Sequence, residues 1–417
     1  MTEKSDVIVI GGGVIGLCSA YFLQKSGATV TVVERGEIGG ECSWGNAGLI
    51  VPSHVIPLAT PGIIAKGLKW MFDSESPFYI KPRMNLQFLS WLWQFRKACS
   101  LARIEKSIPV LHGLLQASHD IYKNFTANGE LDFSLEEKGL LMLCKTEKGF
   151  DEERKAAEAG RALGMKITDM SRDELLAMDP ALQTSAPFGV YYHQDMHFNP
   201  DHFTQALKKH LETKDVRFLT HAEATGFIRR GEKLLGLLTT KGTLQGEQFV
   251  LACGSWSPQV ADFLKLRLPV EAGKGYSVTT AAPKNFSKIP SMLSEAKVAI
   301  TPLGEKIRYA GTMELAGLDL HVNQRRVNAI LKAVADYFPN LELSAAFQEK
   351  PWSGLRPCTP DGLPIIGRAN QFENLTIATG HAMLGVSLAP ITGQLVGQIV
   401  AEQTASLDLS PLRVDRF

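Results

Sequence analysis

The sequence predicts a mixed α/β chain, α+β overall: a Rossmann-like unit interleaved with a second unit built on an antiparallel β-sheet. Three observations predict it. A complete strand, glycine turn, helix and strand open the chain; the same alternation returns over residues 199–256; and residues 269–308 read as strands with few helical signals. The Rossmann-like unit is expected to take 1–82, 146–268 and 351–417, and the second unit 83–145 and 269–350. A chain of 417 residues accommodates both at about 100–200 residues per domain.

Residues 6–10, Asp-Val-Ile-Val-Ile, form a short β-branched apolar run, as expected of a buried parallel strand. Gly11, Gly13 and Gly16 follow at once in G-x-G-x-x-G spacing. A helical stretch runs to Lys25 and stops at Gly27, and a strand over 28–33 ends in Glu34. Each glycine has a reason. Gly11 permits the tight turn, Gly13 lets backbone approach a pyrophosphate, and Gly16 lets the helix pack on the strand. The helix N-terminus offers free N–H groups to phosphates. Glu34 stands 21 residues after Gly13, near the spacing of an acid that binds a ribose hydroxyl. The glycine motif alone is weak evidence; with strand, helix, strand and acid in order it predicts dinucleotide binding. Residues 39–50, GGECSWGNAGLI, stay rich in glycine and small residues, so this loop can lie along an extended dinucleotide.

Residues 53–83 read as a long irregular connection, and such loops in compact domains are usually functional. Helical periodicity covers 85–128, and 131–145 suggests two strands joined at Glu137-Lys138-Gly139. An amphipathic helix is expected over 152–163, and Ser171 with Glu174 has the form of a capping box. Asn199-Pro200-Asp201 opens a helix to about 211, with proline suited to its first position. Strands follow at 216–219 and within 234–251, the last running into Gly254-Ser255-Trp256. A helix is expected over 324–338, a strand over 374–380 and a closing helix over 386–402. Residues 353–367, SGLRPCTPDGLPIIG, read as a stiff, turn-rich loop that holds Arg356 in a rigid frame. A guanidinium so framed suits a carboxylate that must be met at a fixed angle; the plainer alternative is a structural pair with Asp361.

Composition narrows the function. A net charge of +1 gives no reason to expect a nucleic-acid partner. Six scattered cysteines without a C-x-x-C pair argue against a disulfide frame or a zinc site, and read as reduced thiols of a cytoplasmic protein. No run of about 18 apolar residues suggests a membrane span. The aromatic segment 86–95 reads first as a helix buried against the fold, and second as one lying on the inner face of a membrane.

The pattern GGGVIGL…VVERGEIGGECSWGNAGLIVPSH resembles the D-amino-acid oxidase and dehydrogenase family of FAD enzymes. It is closest to the bacterial D-amino-acid dehydrogenases, with glycine and sarcosine oxidases more distant, and covers almost the whole chain. The resemblance implies FAD along the first unit, against Gly11, Gly13, Val14, Ile15 and Gly16, with Glu34 and Arg35 at the adenosine ribose. It places Cys42, Ser43, Asn46, Ala47, Gly48 and Leu49 along the pyrophosphate and flavin. Ala224 falls by the adenine, and Ala252, Gly254 and Trp256 by the cofactor. His381, Met383, Leu384, Gly385, Val386 and Ser387 fall at the flavin's electron-rich end, where a helix N-terminus stabilises negative charge.

In the glycine-oxidase pattern the GLRP arginine binds the substrate carboxylate, and that position is Arg356 here. Two departures make the pocket less polar than a glycine oxidase's. A second arginine after the Gly-His dipeptide becomes Met383, and an active-site tyrosine falls at Ala299. Both argue for a larger or more apolar amino acid. His54 and Tyr276 are the candidates to complete the pocket, each with the plainer reading of a packing residue. Cys358 lacks the local spacing of the sarcosine oxidases' flavin-linked cysteine, so non-covalent FAD is expected. The expected reaction is oxidative deamination of a D-amino acid, as a dehydrogenase. The rivals are a secondary amino-acid enzyme of the proline, hydroxyproline, sarcosine or glycine type, and a non-catalytic FAD-binding protein. A disulfide reductase is disfavoured because Cys42 has no near partner. Quinone, an electron-transfer protein and oxygen all stand as acceptors.

Overall fold

A computed structural model describes residues 4–70, 75–83 and 85–417. Two sheets organise the chain. The first has eight strands and a parallel centre. Lys4–Ile10 lies between Val30–Val33 and Gly242–Leu251, with Arg217–Leu219 beyond the former and Leu375–Thr379 beside the latter. Ala224–Arg230, Lys233–Thr239 and Ile365–Arg368 add antiparallel edges. Strand alternation explains the apolar run of the first strand: Val7 and Val9 enter one core, and Ile8 and Ile10 the other. The helix Val14–Lys25 crosses Gly385–Val400 closely, and a Cβ on Gly393 would collide with the Cys18 backbone.

The second sheet has nine strands, mostly antiparallel, in the order Trp352–Cys358, Glu271–Ala281, Lys306–Leu315, Val298–Leu303, Ser291–Leu293, Leu140–Cys144, Phe188–Tyr192 and Ile167–Ser171. Phe78–Ile80 joins it beside Lys306–Leu315, in parallel. The helices Leu86–Ala98 and Leu101–Ala127 fill the helical region, broken at Cys99 and Ser100. The capping box at Ser171 and Glu174 forms.

Several expectations need correction. Residues 167–192, assigned by sequence to the Rossmann-like unit, carry two strands of the second sheet. Their helix–strand rhythm is locally that of the first unit, and only long-range pairing separates them. Of the two strands expected over 131–145, Leu140–Cys144 forms; Phe133 instead packs into the core beside the first helix, and Glu136 makes an isolated bridge to His197. The connection over 53–83 contains the helix Ile63–Trp70 and the strand Phe78–Ile80; its residues 71–74 lie outside the described residues. The stretch around Arg356 is not a loop: Trp352–Cys358 is the edge strand of the second sheet. Pro357 is tolerated there because an edge strand leaves one row of N–H groups unpaired.

The segment Ala382–Val400 is long and apolar enough to cross a membrane, but most of it is buried within the fold.

Candidate active site

One cavity of about 980 Å3 runs from the glycine turn to Arg356. At its first end Gly11 takes φ +110°, and a side chain there would collide with the Ala252 carbonyl. A Cβ on Gly16 would meet the Gly11 carbonyl, so this glycine serves helix–strand packing and is not on the cavity wall. Gly13 meets no such obstruction, and its open side faces the cavity with Val14 and Ile15. Glu34 accepts the Gly12 N–H at 2.7 Å and the Gly36 N–H at 2.9 Å, which aims its carboxylate along the turn. Arg35 stacks 3.8 Å from the Trp256 ring and pairs with Glu41 at 2.8 Å. Ala224, Ala252 and Gly254 complete this end.

The glycine-rich loop follows. Ser43 Oγ accepts the Val14 N–H at 2.9 Å, and Asn46 Oδ1 accepts the Gly48 N–H at 2.8 Å. Cys42, Ala47 and Leu49 line the same wall, and burial pushes the Cys42 thiol up to about 11. The second sheet fastens this loop from below. Buried Arg308 donates to the carbonyls of Asn46 at 2.7 Å and Trp44 at 3.1 Å, and the Ser277 hydroxyl donates to that of Gly45 at 2.8 Å. Nothing in the local sequence marks Arg308, because the loop carbonyls it holds lie more than 250 residues away.

At the far end His381 is 2% exposed, with Nε2 2.9 Å from Thr392 Oγ1 and Nδ1 left without a partner. Met383, Leu384, Gly385 and Val386 border the cavity. Ser387 does not. Its hydroxyl donates to the Leu49 carbonyl and accepts the Val51 N–H, so it positions the glycine-rich loop. The glycine cradle, the acid at the strand end and the orphaned histidine nitrogen fit an extended flavin dinucleotide.

Arg356 sits in the wall beyond. Its guanidinium lies against Gly275, where any Cβ would collide with it. It donates to the Thr312 carbonyl at 2.9 Å. That carbonyl is turned by a β-bulge: Thr312 and Met313 together oppose Gly275, and Thr312 takes φ +66°, a costly conformation for a β-branched residue. Asp361 does not pair with Arg356; it is held by Arg416 at 2.8 and 3.1 Å. Among the described residues Arg356 has no carboxylate partner. Burial lowers it from the usual arginine range.

The two remaining candidates both reach the cavity. His54 borders the cavity, and burial, with the charge of Lys297, holds it down to about 4. Tyr276 also borders the cavity, but it is 1% exposed and most of its ring packs in the second core with Val278 and Tyr309. Asp195, absent from the sequence reading, stands hydrogen-bonded to Ser53 beside His54.

The model of the family described as DAO, FAD dependent oxidoreductase, matches residues 6–399. A D-amino acid dehydrogenase of Bradyrhizobium diazoefficiens is 33% identical, over 99% of this chain and 98% of its own. One from Vibrio vulnificus is 32% identical over 96% and 98%. Among solved structures, glycine oxidase from Geobacillus kaustophilus superposes with a TM-score of 0.79 at 24% identity, covering all of both chains. L-proline dehydrogenase from P. horikoshii gives 0.73 at 18% identity, over 97% and 96%. Full-length matches of this kind, on a chain whose glycine turn, strand-end acid and long cavity meet the needs of the cofactor, place it in the DAO family of FAD-dependent oxidoreductases.

Proposed function

We propose that the protein is a dehydrogenase that oxidises a D-amino acid at its Cα–N bond, giving an imine that hydrolyses to a 2-oxo acid and ammonia. The observation that carries this reading is Arg356: a guanidinium seated in the cavity wall, bonded to one carbonyl, while Asp361, the carboxylate expected as its structural partner, is committed to Arg416. A desolvated charge of this kind favours a ligand that brings the opposite one, and its planar fork meets a carboxylate through two hydrogen bonds. Bound FAD supplies the two-electron acceptor for the Cα hydride. The chain does the rest: Arg356 orients the substrate, while Met292, Ala299 and Ala310 line the cavity as an apolar wall, with half-exposed Met383 also on it. The D preference follows the relatives named D-amino acid dehydrogenase. Cys358 is buried and its thiol pushed up to about 12, which disfavours the thiolate a covalent flavin link would need.

Anaerobic mixing of the holoenzyme with an amino-acid panel tests the reaction. D-amino acids with apolar side chains are expected to bleach the flavin faster than glycine or any L isomer. Bleaching by D-proline or sarcosine alone would replace this reading with a secondary amino-acid enzyme, and no bleaching at all with a non-catalytic protein.

The acceptor we propose is a membrane quinone. The helix Leu86–Ala98 buries Phe88, Trp91 and Phe95 but leaves Leu86 85% and Trp93 58% exposed, with Leu89 beside them. Arg96 and Lys97 flank this face, and the Lys97 ammonium sits 3.2 Å over the Trp93 ring. Apolar residues rimmed by cations suit an anionic membrane surface. The protein is expected to co-sediment with phosphatidylglycerol vesicles, and Leu89→Asp with Trp93→Asp to abolish this without slowing turnover with a soluble dye. A wild-type protein that stays in the supernatant would rule the surface out.

A further inference from the structure

The short ladder of Leu49–Ile50 with Met196–His197 brings the turn after the glycine-rich loop beside the turn that carries Asp195. Three polar side chains meet there. Asp195 is 1% exposed and accepts the Ser53 N–H at 3.2 Å and the Ser53 hydroxyl at 2.6 Å. Ser53 Oγ lies 3.1 Å from His54 Nδ1, and His54 borders the cavity that holds Arg356. With the hydroxyl proton directed at the carboxylate, Ser53 Oγ has only lone pairs left for the ring. His54 then carries its hydrogen on Nδ1 and keeps a free lone pair on Nε2.

We propose that His54, Ser53 and Asp195 form a proton relay: His54 Nε2 takes the proton the substrate ammonium must lose before its Cα hydride leaves, and Asp195 is the final acceptor. The relay rests on the amino-acid reading above. The substrate N–H bond breaks as Nε2–H forms. The Nδ1 proton passes to Ser53 Oγ, and the Ser53 hydroxyl proton passes to Asp195 Oδ2. His54 ends neutral with its tautomer reversed, and Asp195 ends as the acid. No electrons move in these steps.

The electrostatics match the roles. Burial and Lys297 keep His54 down to about 4, so it passes a proton on and does not store it. Burial raises Asp195 to about 7, against the two Ser53 hydrogen bonds, which places the acceptor near neutral pH. The other groups facing the relay are Lys297, and Tyr191 and Tyr192 on the strand before Asp195. Burial raises both tyrosines, and their hydroxyls are committed to the Lys138 carbonyl at 3.0 Å and Glu153 at 2.7 Å.

Ser53→Ala severs the relay while keeping both ends; Ser53→Thr keeps the hydroxyl. In the holoenzyme without substrate, 15N NMR of the imidazoles is expected to show His54 as the Nδ1–H tautomer at high pH. It should convert to Nε2–H as pH falls through about 7, where Asp195 takes its proton. Ser53→Ala and Asp195→Asn should abolish the conversion. In rapid anaerobic mixing both variants should reduce the flavin roughly 10²-fold more slowly at neutral pH. They should recover as pH approaches the substrate amine's own range, and Ser53→Thr should restore the wild-type profile. A purely structural lesion would slow the reaction equally at every pH. A wild-type pH profile in Ser53→Ala, or a His54 tautomer indifferent to pH, would overturn the relay. Failure of every amino acid to bleach the wild-type flavin would instead sink the reaction reading, and the imidazole spectra would still decide the relay.

Discussion

Replacing Arg356 by leucine is expected to raise the half-saturating amino-acid concentration roughly 10- to 100-fold, from the 1.5–3 kcal/mol of a charged hydrogen bond. The limiting rate of flavin reduction should fall as well, because the fork also sets the angle at which Cα is presented. Rapid anaerobic mixing over a substrate series measures both, with the bound flavin content as the control for folding. Arg356→Lys keeps the charge but loses the fork, so it should lie between the two. Gly275→Ala probes the same seat with the arginine intact. Its new methyl group would occupy the space of the guanidinium, so it should weaken binding in the same direction by a smaller factor. Unchanged concentration dependence and rate in Arg356→Leu would remove the carboxylate role.

That seat shows what the sequence could and could not reveal. Arg356 is legible because a long cation framed by glycine and proline asks for a partner. Its backbone was misread because the same glycines and prolines signal a turn wherever no pairing partner is in view. Here Gly354 pairs opposite Gly275, whose missing side chain leaves room for the guanidinium to cross that strand's face to the Thr312 carbonyl. The two residues that bulge, Thr312 and Met313, are neither glycine nor proline, so their own types do not announce it. The glycine turn and Glu34 were legible for the opposite reason: strand, turn, helix and acid fall within 35 residues, and the acid reaches back to the turn through the Gly12 N–H. Tyr276 touches both the cavity and the second core, and sequence alone does not say how a strand residue divides between them. Asp195 and Arg308 act on residues far away in the chain, and only the fold makes them neighbours.

Beneath the seat lies a buried charge cluster whose loss should be the largest stability effect in the molecule. Glu314 forms ion pairs with Arg326, whose Nε lies 2.6 Å from Oε1, and with the Lys274 ammonium at 3.5 Å from Oε2. All three side chains are almost wholly buried. Lys274 is further held by Asp319 at 3.0 Å and the His321 carbonyl at 2.8 Å, and Arg326 donates to the Ser76 carbonyl at 2.7 Å. Glu314→Ala leaves two buried cations without their shared carboxylate, a loss expected to cost about 3–5 kcal/mol. A lower guanidinium midpoint for the holoenzyme measures it. The penalty comes from the stranded charges, not from a large intrinsic worth of the pairs. Adding Lys274→Met and Arg326→Met to Glu314→Leu should therefore recover much of the loss. If the triple replacement proves as unstable as Glu314→Ala, the cluster stabilises the sheet by its own attraction. Lys274 lies next to Gly275 in the chain and pairs with Glu314 across the bulge, so Glu314→Ala should also weaken amino-acid binding, though no cluster member reaches the cavity wall.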